Sequence, residues 1–206
     1  MIVVGLTGSI AMGKTETAKM FANLDIPVFD SDGAVHELYG KGGEAAKEIG
    51  RLEPSAIIDE AVDRKRLAAK VLERPGLLHE IEKAVHPLIR VRQERFLSDM
   101  AQRGADIAIL DIPLLFETGR DKEVDRIIVV SAPPDLQRER ALKRPHMTVE
   151  KLDYILSKQL PDVEKRSRAD YVIDTSVSLD DARRQVEAII EDLRKNQSGH
   201  GQRNHS

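Results

Sequence analysis

The 206-residue chain contains no cysteine, which excludes disulfide bridges and thiolate metal sites and fits a reducing, intracellular compartment. It also lacks a basic excess. Its 32 Lys and Arg against 35 Asp and Glu leave a formal net charge of −3, giving no support for a nucleic-acid or membrane-surface role. The opening MIVVGLTG has no basic stretch before its apolar residues, and that run is too short for a signal peptide or a membrane span. A cytoplasmic protein with no nucleic-acid, membrane or obligate protein partner is expected. No internal repeat is apparent. What remains is an ordinary globular composition, 41% hydrophobic and 33% charged, long enough to bury the core of one α/β domain with an insertion or two.

Residues 2–7, IVVGLT, form a nearly continuous apolar run, as in a parallel strand buried on both faces. Directly after it stands Gly8-x-x-x-x-Gly13-Lys14-Thr15, the spacing of a phosphate-binding loop, with a helix expected from about Gly13 to Leu24. Backbone N–H groups of residues 11–16 (Ala11, Met12, Gly13, Lys14, Thr15, Glu16) can converge on phosphate oxygens at the positive end of that helix. Lys14 can reach the outer phosphates, and the Thr15 hydroxyl can ligate Mg²⁺. A chance match is expected in on the order of one chain per hundred, and the strand before and helix after lower that further. Two residues are unusual inside the motif. Ala11 is either strained by a positive φ or sits at a negative one without cost. Glu16 suits a helix dipole but repels a triphosphate unless it points away.

Short strands are expected at Pro27–Phe29, ending at Asp30, and at Ile107–Leu110, Arg126–Val130 and Tyr171–Ile173. With helical segments between them, they predict an α/β fold: a parallel sheet of the phosphate-loop NTPase type flanked by helices. The expected division is a nucleotide-binding core over 1–32 and 105–194, with a helical acceptor-binding insertion over 33–104. The insertion shows helical patterns but no convincing strand, and Pro87 is placed at the first position of its last helix. Residues 137–168 are highly charged and are expected to form a lid. The tail 195–206, polar and without periodicity, is expected to be disordered.

A GTPase would need N-K-x-D after a later strand, and none is present; the D-x-x-G at 30–33 comes too soon. A dinucleotide enzyme would need G-x-G-x-x-G, whereas the glycines here are at 5, 8 and 13. A small-molecule kinase fits better. Asp30 and Asp32 follow the second strand, where a kinase needs a carboxylate to activate its acceptor. The competing reading is that Ser31 or Asp32 simply caps a helix over 33–40. Asp111 ends an apolar strand in the form of a magnesium carboxylate, acting through water, although buried strands often end in a polar residue. Arg138, Arg140 and Arg144 crowd one helical segment. Such a run is either a solvated face or a source of arginine for the transferring phosphoryl group. His86 is either a satisfied polar histidine or an acceptor contact.

These residues together resemble one family, dephospho-CoA kinase, over about residues 2–176. The resemblance is carried by GLTGSIAMGKT, then PVFDSD at 27–32, HPLI at 86–89, DIPLLFE at 111–117, RALKR at 140–144 and ADYVID at 169–174. It implies ATP-dependent phosphorylation of the ribose 3′-hydroxyl of dephospho-CoA, with Mg²⁺, and a core, a helical CoA-binding domain and a lid. By the same resemblance Asp32 is the base, and Lys14 and Arg140 stabilise the phosphoryl group. His86, Leu115 and Glu117 belong by it to the acceptor site, where Asp30 is expected as well, and Arg144 is expected in the ATP site. The family usually has glycine where Ala11 stands and serine or threonine where Glu16 stands. Two alternatives remain: a kinase of the same architecture for another nucleoside-like or sugar-like acceptor, and a non-catalytic nucleotide-binding module.

Overall fold

The three inner strands of the main sheet carry the apolar, β-branched runs that parallel pairing buries on both faces. The sheet's five strands are β1 (Ile2–Thr7), β2 (Val28–Asp30), β5 (Ile107–Asp111), β6 (Arg126–Ser131) and β7 (Tyr171–Asp174), in the spatial order β2-β5-β1-β6-β7. The pairings of β1 with β5, β1 with β6 and β6 with β7 are parallel, with Val4 opposite Ile109 and Leu6 opposite Ile128. Every residue of β5 is buried, as its central position requires. The computed structural model describes residues 1–200, with side chains through 196.

The chain divides into two compact units, one of 1–29 with 100–206 and one of 30–99. In the first, α1 (Lys14–Asn23) and α9 (Leu179–His200) cover the sheet. Phe21 of α1 and Val186, Ile189, Ile190 and Leu193 of α9 pack with Val4, Leu6, Ile109, Ile128 and Ile173. The α9 positions recur at three- and four-residue steps, one apolar stripe on a helix. Helices α6 (Pro134–Leu142), α7 (Val149–Ser157) and α8 (Asp162–Ser167) occupy the charged segment between β6 and β7. Helix α9 continues to His200, so the expected disorder from Lys195 does not begin there; 201–206 lie outside the described residues.

The second unit contains α2 (Ser31–Tyr39), α3 (Glu44–Leu52) and α4 (Arg64–Glu73), and most of α5 (Leu77–Gln102). Its own core comprises Leu38, Ala45, Ile49, Ala56, Leu67, Leu77, Ile81 and Val85. Two expectations are corrected. Pro87 lies inside α5 rather than at its first position. A helix of 26 residues absorbs the one backbone hydrogen bond that proline removes because Ile81 and Val85 before it are held in the core. The unit also holds strands, a two-stranded antiparallel hairpin of β3 (Ile57–Ile58) and β4 (Ala61–Val62). Strands of two residues are too short to show alternation. Their turn, Asp59-Glu60, has φ of 48° and 64°, the left-handed pair that a tight hairpin needs but that usually signals itself as Asn-Gly.

Candidate active site

The loop from Gly8 to Thr15 leaves β1 at the carboxyl edge of the sheet and enters α1. Gly8 is glycine for a steric reason: a Cβ there would stand 2.7 Å from the Val130 carbonyl oxygen of the neighbouring strand. Gly13 precedes α1 at φ 93°, and a Cβ on it would lie 3.1–3.2 Å from the Thr175 side chain. Ala11 adopts φ 63°, so the positive-φ reading is the observed one. The left-handed conformation costs an alanine about 1–2 kcal/mol. Its buried methyl packs with Ala141 and Leu152, and one buried methyl offsets about 0.8 kcal/mol of that.

Most polar groups around the loop already have partners. Met12 N–H donates to the Ser9 carbonyl at 3.2 Å and Glu16 N–H to the Gly13 carbonyl at 3.1 Å. Among the described residues, the N–H groups of Ala11, Gly13, Lys14 and Thr15 take no acceptor. Within the run 11–16 these four are the N–H groups left open. Met12 contributes structure instead: its buried sulfur accepts from the Ala132 N–H at 3.1 Å. Lys14 Nζ is paired with the buried Asp111 carboxylate, and Thr15 is exposed. Glu16 turns outward, its carboxylate 2.7 Å from Lys19 Nζ with both side chains at least 60% exposed, so it does not crowd the donors.

Three residues that sequence reading passed over hold the loop from the segments after β6 and β7. Gln137 Nε2 donates to the Ile10 carbonyl at 2.9 Å, and Ile10 N–H donates to Gln159 Oε1 at 3.0 Å. Thr175 Oγ1 donates to the Met12 carbonyl at 2.8 Å. No spacing announces such contacts, since each joins positions more than a hundred residues apart. Arg140 lies beside them: its guanidinium donates to Thr175 Oγ1 at 3.0 Å and to the Thr175 carbonyl at 2.7 Å. Arg138 instead pairs with Asp153 at 3.1 Å. Arg144 is exposed and stands beyond the end of α6 at Leu142, so it does not share a helix face with Arg140 as the i,i+4 spacing suggested.

The DIPLLFE segment after β5 is tied down along its length. Thr7 Oγ1 donates to the Pro113 carbonyl at 3.1 Å. Leu115 is fully buried, its Cδ2 3.0 Å from where a Gly5 Cβ would be. Its side chain is a core contact beneath β1. Glu117 Oε1 accepts from the Leu160 N–H and sits 2.8 Å from Nζ of Lys165, a lysine with no solvent exposure. Burial pushes the Glu117 carboxyl upward. The opposing pull of Lys165 and of backbone N–H groups is larger in sum and holds it below its ordinary value. Lys165, hidden in a charged run, was the other residue missed.

In the second unit, the capping question resolves in favour of Asp30. Its carboxylate accepts from the Gly33 N–H at 2.9 Å and caps α2, which begins at Ser31. Gly33 makes room for it, because a Cβ there would stand 2.8 Å from Asp30 Oδ2. That accounts for the D-x-x-G pattern without a GTPase. Asp32 is neither cap nor core; it lies in the first turn of α2 and is exposed. His86 is exposed in the middle of α5.

A family model described as dephospho-CoA kinase matches residues 2–181. The chain is 52% identical to a dephospho-CoA kinase of Mesorhizobium japonicum, over 94% of this chain and 98% of the relative. It is 49% identical to one of Rhodopseudomonas palustris, over 93% and 95%. Among solved structures it is similar to a Thermus thermophilus protein at 32% identity and a TM-score of 0.78, covering 93% of this chain and 97% of that one. A dephospho-CoA kinase from Campylobacter jejuni shares the fold at a TM-score of 0.71, with 23% identity and coverage of 95% and 98%.

Proposed function

Because the chain belongs to the dephospho-CoA kinase family, we propose that it transfers the γ-phosphoryl group of ATP to the ribose 3′-hydroxyl of dephospho-CoA, giving coenzyme A and ADP. The family match over most of the chain carries this reading. In the reaction the 3′-oxygen forms its bond to the γ-phosphorus as the bond to the β,γ-bridging oxygen breaks, and ADP leaves. The hydroxyl proton passes to Asp32, and the capping of α2 by Asp30 supports that role by leaving the Asp32 carboxylate uncommitted. A hydroxyl is a poor nucleophile at neutral pH, and a positioned carboxylate typically contributes about 10²–10⁴-fold. The four open N–H groups of the loop receive phosphate oxygens, with Lys14 and Arg140 supplying positive charge where negative charge builds up. Arg144 joins the ATP site, and Asp30, His86, Leu115 and Glu117 the acceptor site.

Mg²⁺ fits the residues present. Among the described residues no cluster of three or more acidic or histidine side chains could hold a metal alone. Magnesium on a nucleotide does not need one: it keeps several waters and takes one or two protein oxygens plus phosphates. The exposed Thr15 hydroxyl and the Asp111 carboxylate are hard oxygen donors of that kind. Thr15 and Asp111 would hold the ion, which would supply positive charge to the phosphates.

No helix among the described residues is long and apolar enough to cross a membrane. A cytoplasmic site for the reaction remains part of the proposal. An ADP-release assay across a panel of dephospho-CoA, nucleosides and sugars tests the proposal. Turnover with dephospho-CoA well above all others is the expected result. Preference for another acceptor would overturn the substrate, and no turnover with any would overturn the activity.

A further inference from the structure

Thr175 stands at the junction of three elements, and its hydroxyl is used in full. It donates to the Met12 carbonyl at 2.8 Å, with the Ser131 carbonyl at 3.3 Å as a second acceptor, and accepts from Arg140 at 3.0 Å. Its carbonyl takes the other terminal nitrogen of Arg140 at 2.7 Å. The residue is itself anchored at the end of β7, its N–H donating to the Ser131 carbonyl at 2.9 Å. Its side chain fills the space that a Cβ on Gly13 would need.

The chemistry of this hold is selective. Among the described residues, Arg140 has no carboxylate within ion-pair distance; both of its partners are neutral oxygens of one residue. Two donors fixed by one residue set the plane of a guanidinium, as a bidentate carboxylate would, while the carboxylates of Asp174 and Glu139 act on its charge only through space. Arg140 has five N–H donors in all, so others remain for a ligand. The same hydroxyl grips the carbonyl of Met12, whose next residue, Gly13, carries one of the four open N–H groups. Arginine and phosphate loop are thereby placed against each other through a single side-chain oxygen.

We propose that Thr175 is a positioning residue for phosphoryl transfer, its hydroxyl setting the place of the Arg140 guanidinium relative to the phosphate loop. The inference rests on the reading above that Arg140 acts on the phosphoryl group. Thr175→Val keeps the shape and removes the hydroxyl's bonds to Met12, Ser131 and Arg140. Turnover is expected to fall roughly 10–100-fold, the worth of one hydrogen bond to a charged group. The KM for dephospho-CoA should change little, and Thr175→Ser should recover most of the loss. Should the valine variant not fold, Thr175→Ala makes the same comparison.

The deciding measurement is the pair with Arg140→Ala. If the hydroxyl acts through the arginine, removing it in the Arg140→Ala background costs little further turnover. A loss of full size in that background would mean the hydroxyl only supports the loop, and wild-type turnover in Thr175→Val would mean it does neither; either overturns the proposal. Near-wild-type turnover in Arg140→Ala would instead overturn the role of Arg140 on which the inference rests, a result that Thr175 variants alone cannot produce.

Discussion

The phosphate loop and the unit of residues 30–99 treat their polar groups in opposite ways. Around the loop, Lys14, Arg140, Ile10 and Met12 are held by named partners before any ligand arrives. In the second unit the groups proposed for the acceptor are less uniformly held: Asp32 and His86 are exposed, and the Asp30 carboxylate also caps α2. Oriented donors that need no rearrangement suit a polyphosphate, whose charge is stabilised most by dipoles fixed in advance. Exposed side chains must be ordered when the acceptor binds, and that ordering costs about 0.5–1.5 kcal/mol for each. The polar groups of the loop are fixed in advance; on the proposed reading, the exposed groups of the acceptor side are ordered by their ligand.

The largest effect that would test this contrast is at Asp32. Asp32→Asn should fold normally and bind ATP like the wild type, while turnover falls roughly 10²–10⁴-fold. Asp32 is exposed and caps no helix, so preserved turnover would remove it from the reaction and erase the contrast. Melting temperature, ATP titration and initial rates together separate the outcomes.

The next effect is on stability and lies in the rigid unit. Lys165→Met leaves Glu117 as a mostly buried carboxylate without its cation, and breaking such a pair costs about 3–5 kcal/mol. Adding Glu117→Gln to that variant should return much of it in urea unfolding, because no uncompensated charge remains. The same pair has a pH signature. The folded-state pKa of Glu117 lies below its unfolded value, so its contribution is present above the ordinary carboxylate range and is lost as pH falls through the folded value. The stability gap between wild type and Glu117→Gln should therefore narrow on acidification. A gap that widens would refute the assignment.

Smaller effects belong to the two unusual loop residues. Glu16→Thr should tighten ATP binding by a few-fold at most, because the carboxylate already faces solvent beside Lys19. Titration should show the gain fading at high salt, as screening predicts. Ala11→Gly exchanges about 1–2 kcal/mol of backbone strain against a lost methyl contact and a more flexible unfolded chain. Its unfolding free energy should move by less than about 1 kcal/mol. A change several times larger would mean that the α6–α7 packing on Ala11 holds the loop more firmly than its hydrogen bonds do.

The strands of the main sheet, the loop and the order of elements were legible because each is a local pattern. An apolar run, glycines at fixed intervals and the lysine after them need only neighbouring residues to be recognised. The β3–β4 hairpin escaped because two-residue strands carry no period, and Pro87 misled because its local preference for a helix start was overruled by the core around Ile81 and Val85.

What the sequence by itself determined is the phosphate-binding geometry and the family, since both reside in contiguous motifs whose chemistry is intrinsic to the residues. Which of two aspartates caps α2, whether Ala11 is strained and where Glu16 points were decided by the folded chain. So were the buried partner of Glu117 and the residue that holds Arg140. Each of these depends on hydrogen bonds and van der Waals contacts at a few ångströms, several of them between positions far apart in the chain. A distance of that kind exists only once the sheet has brought the ends of β1, β5, β6 and β7 to one edge.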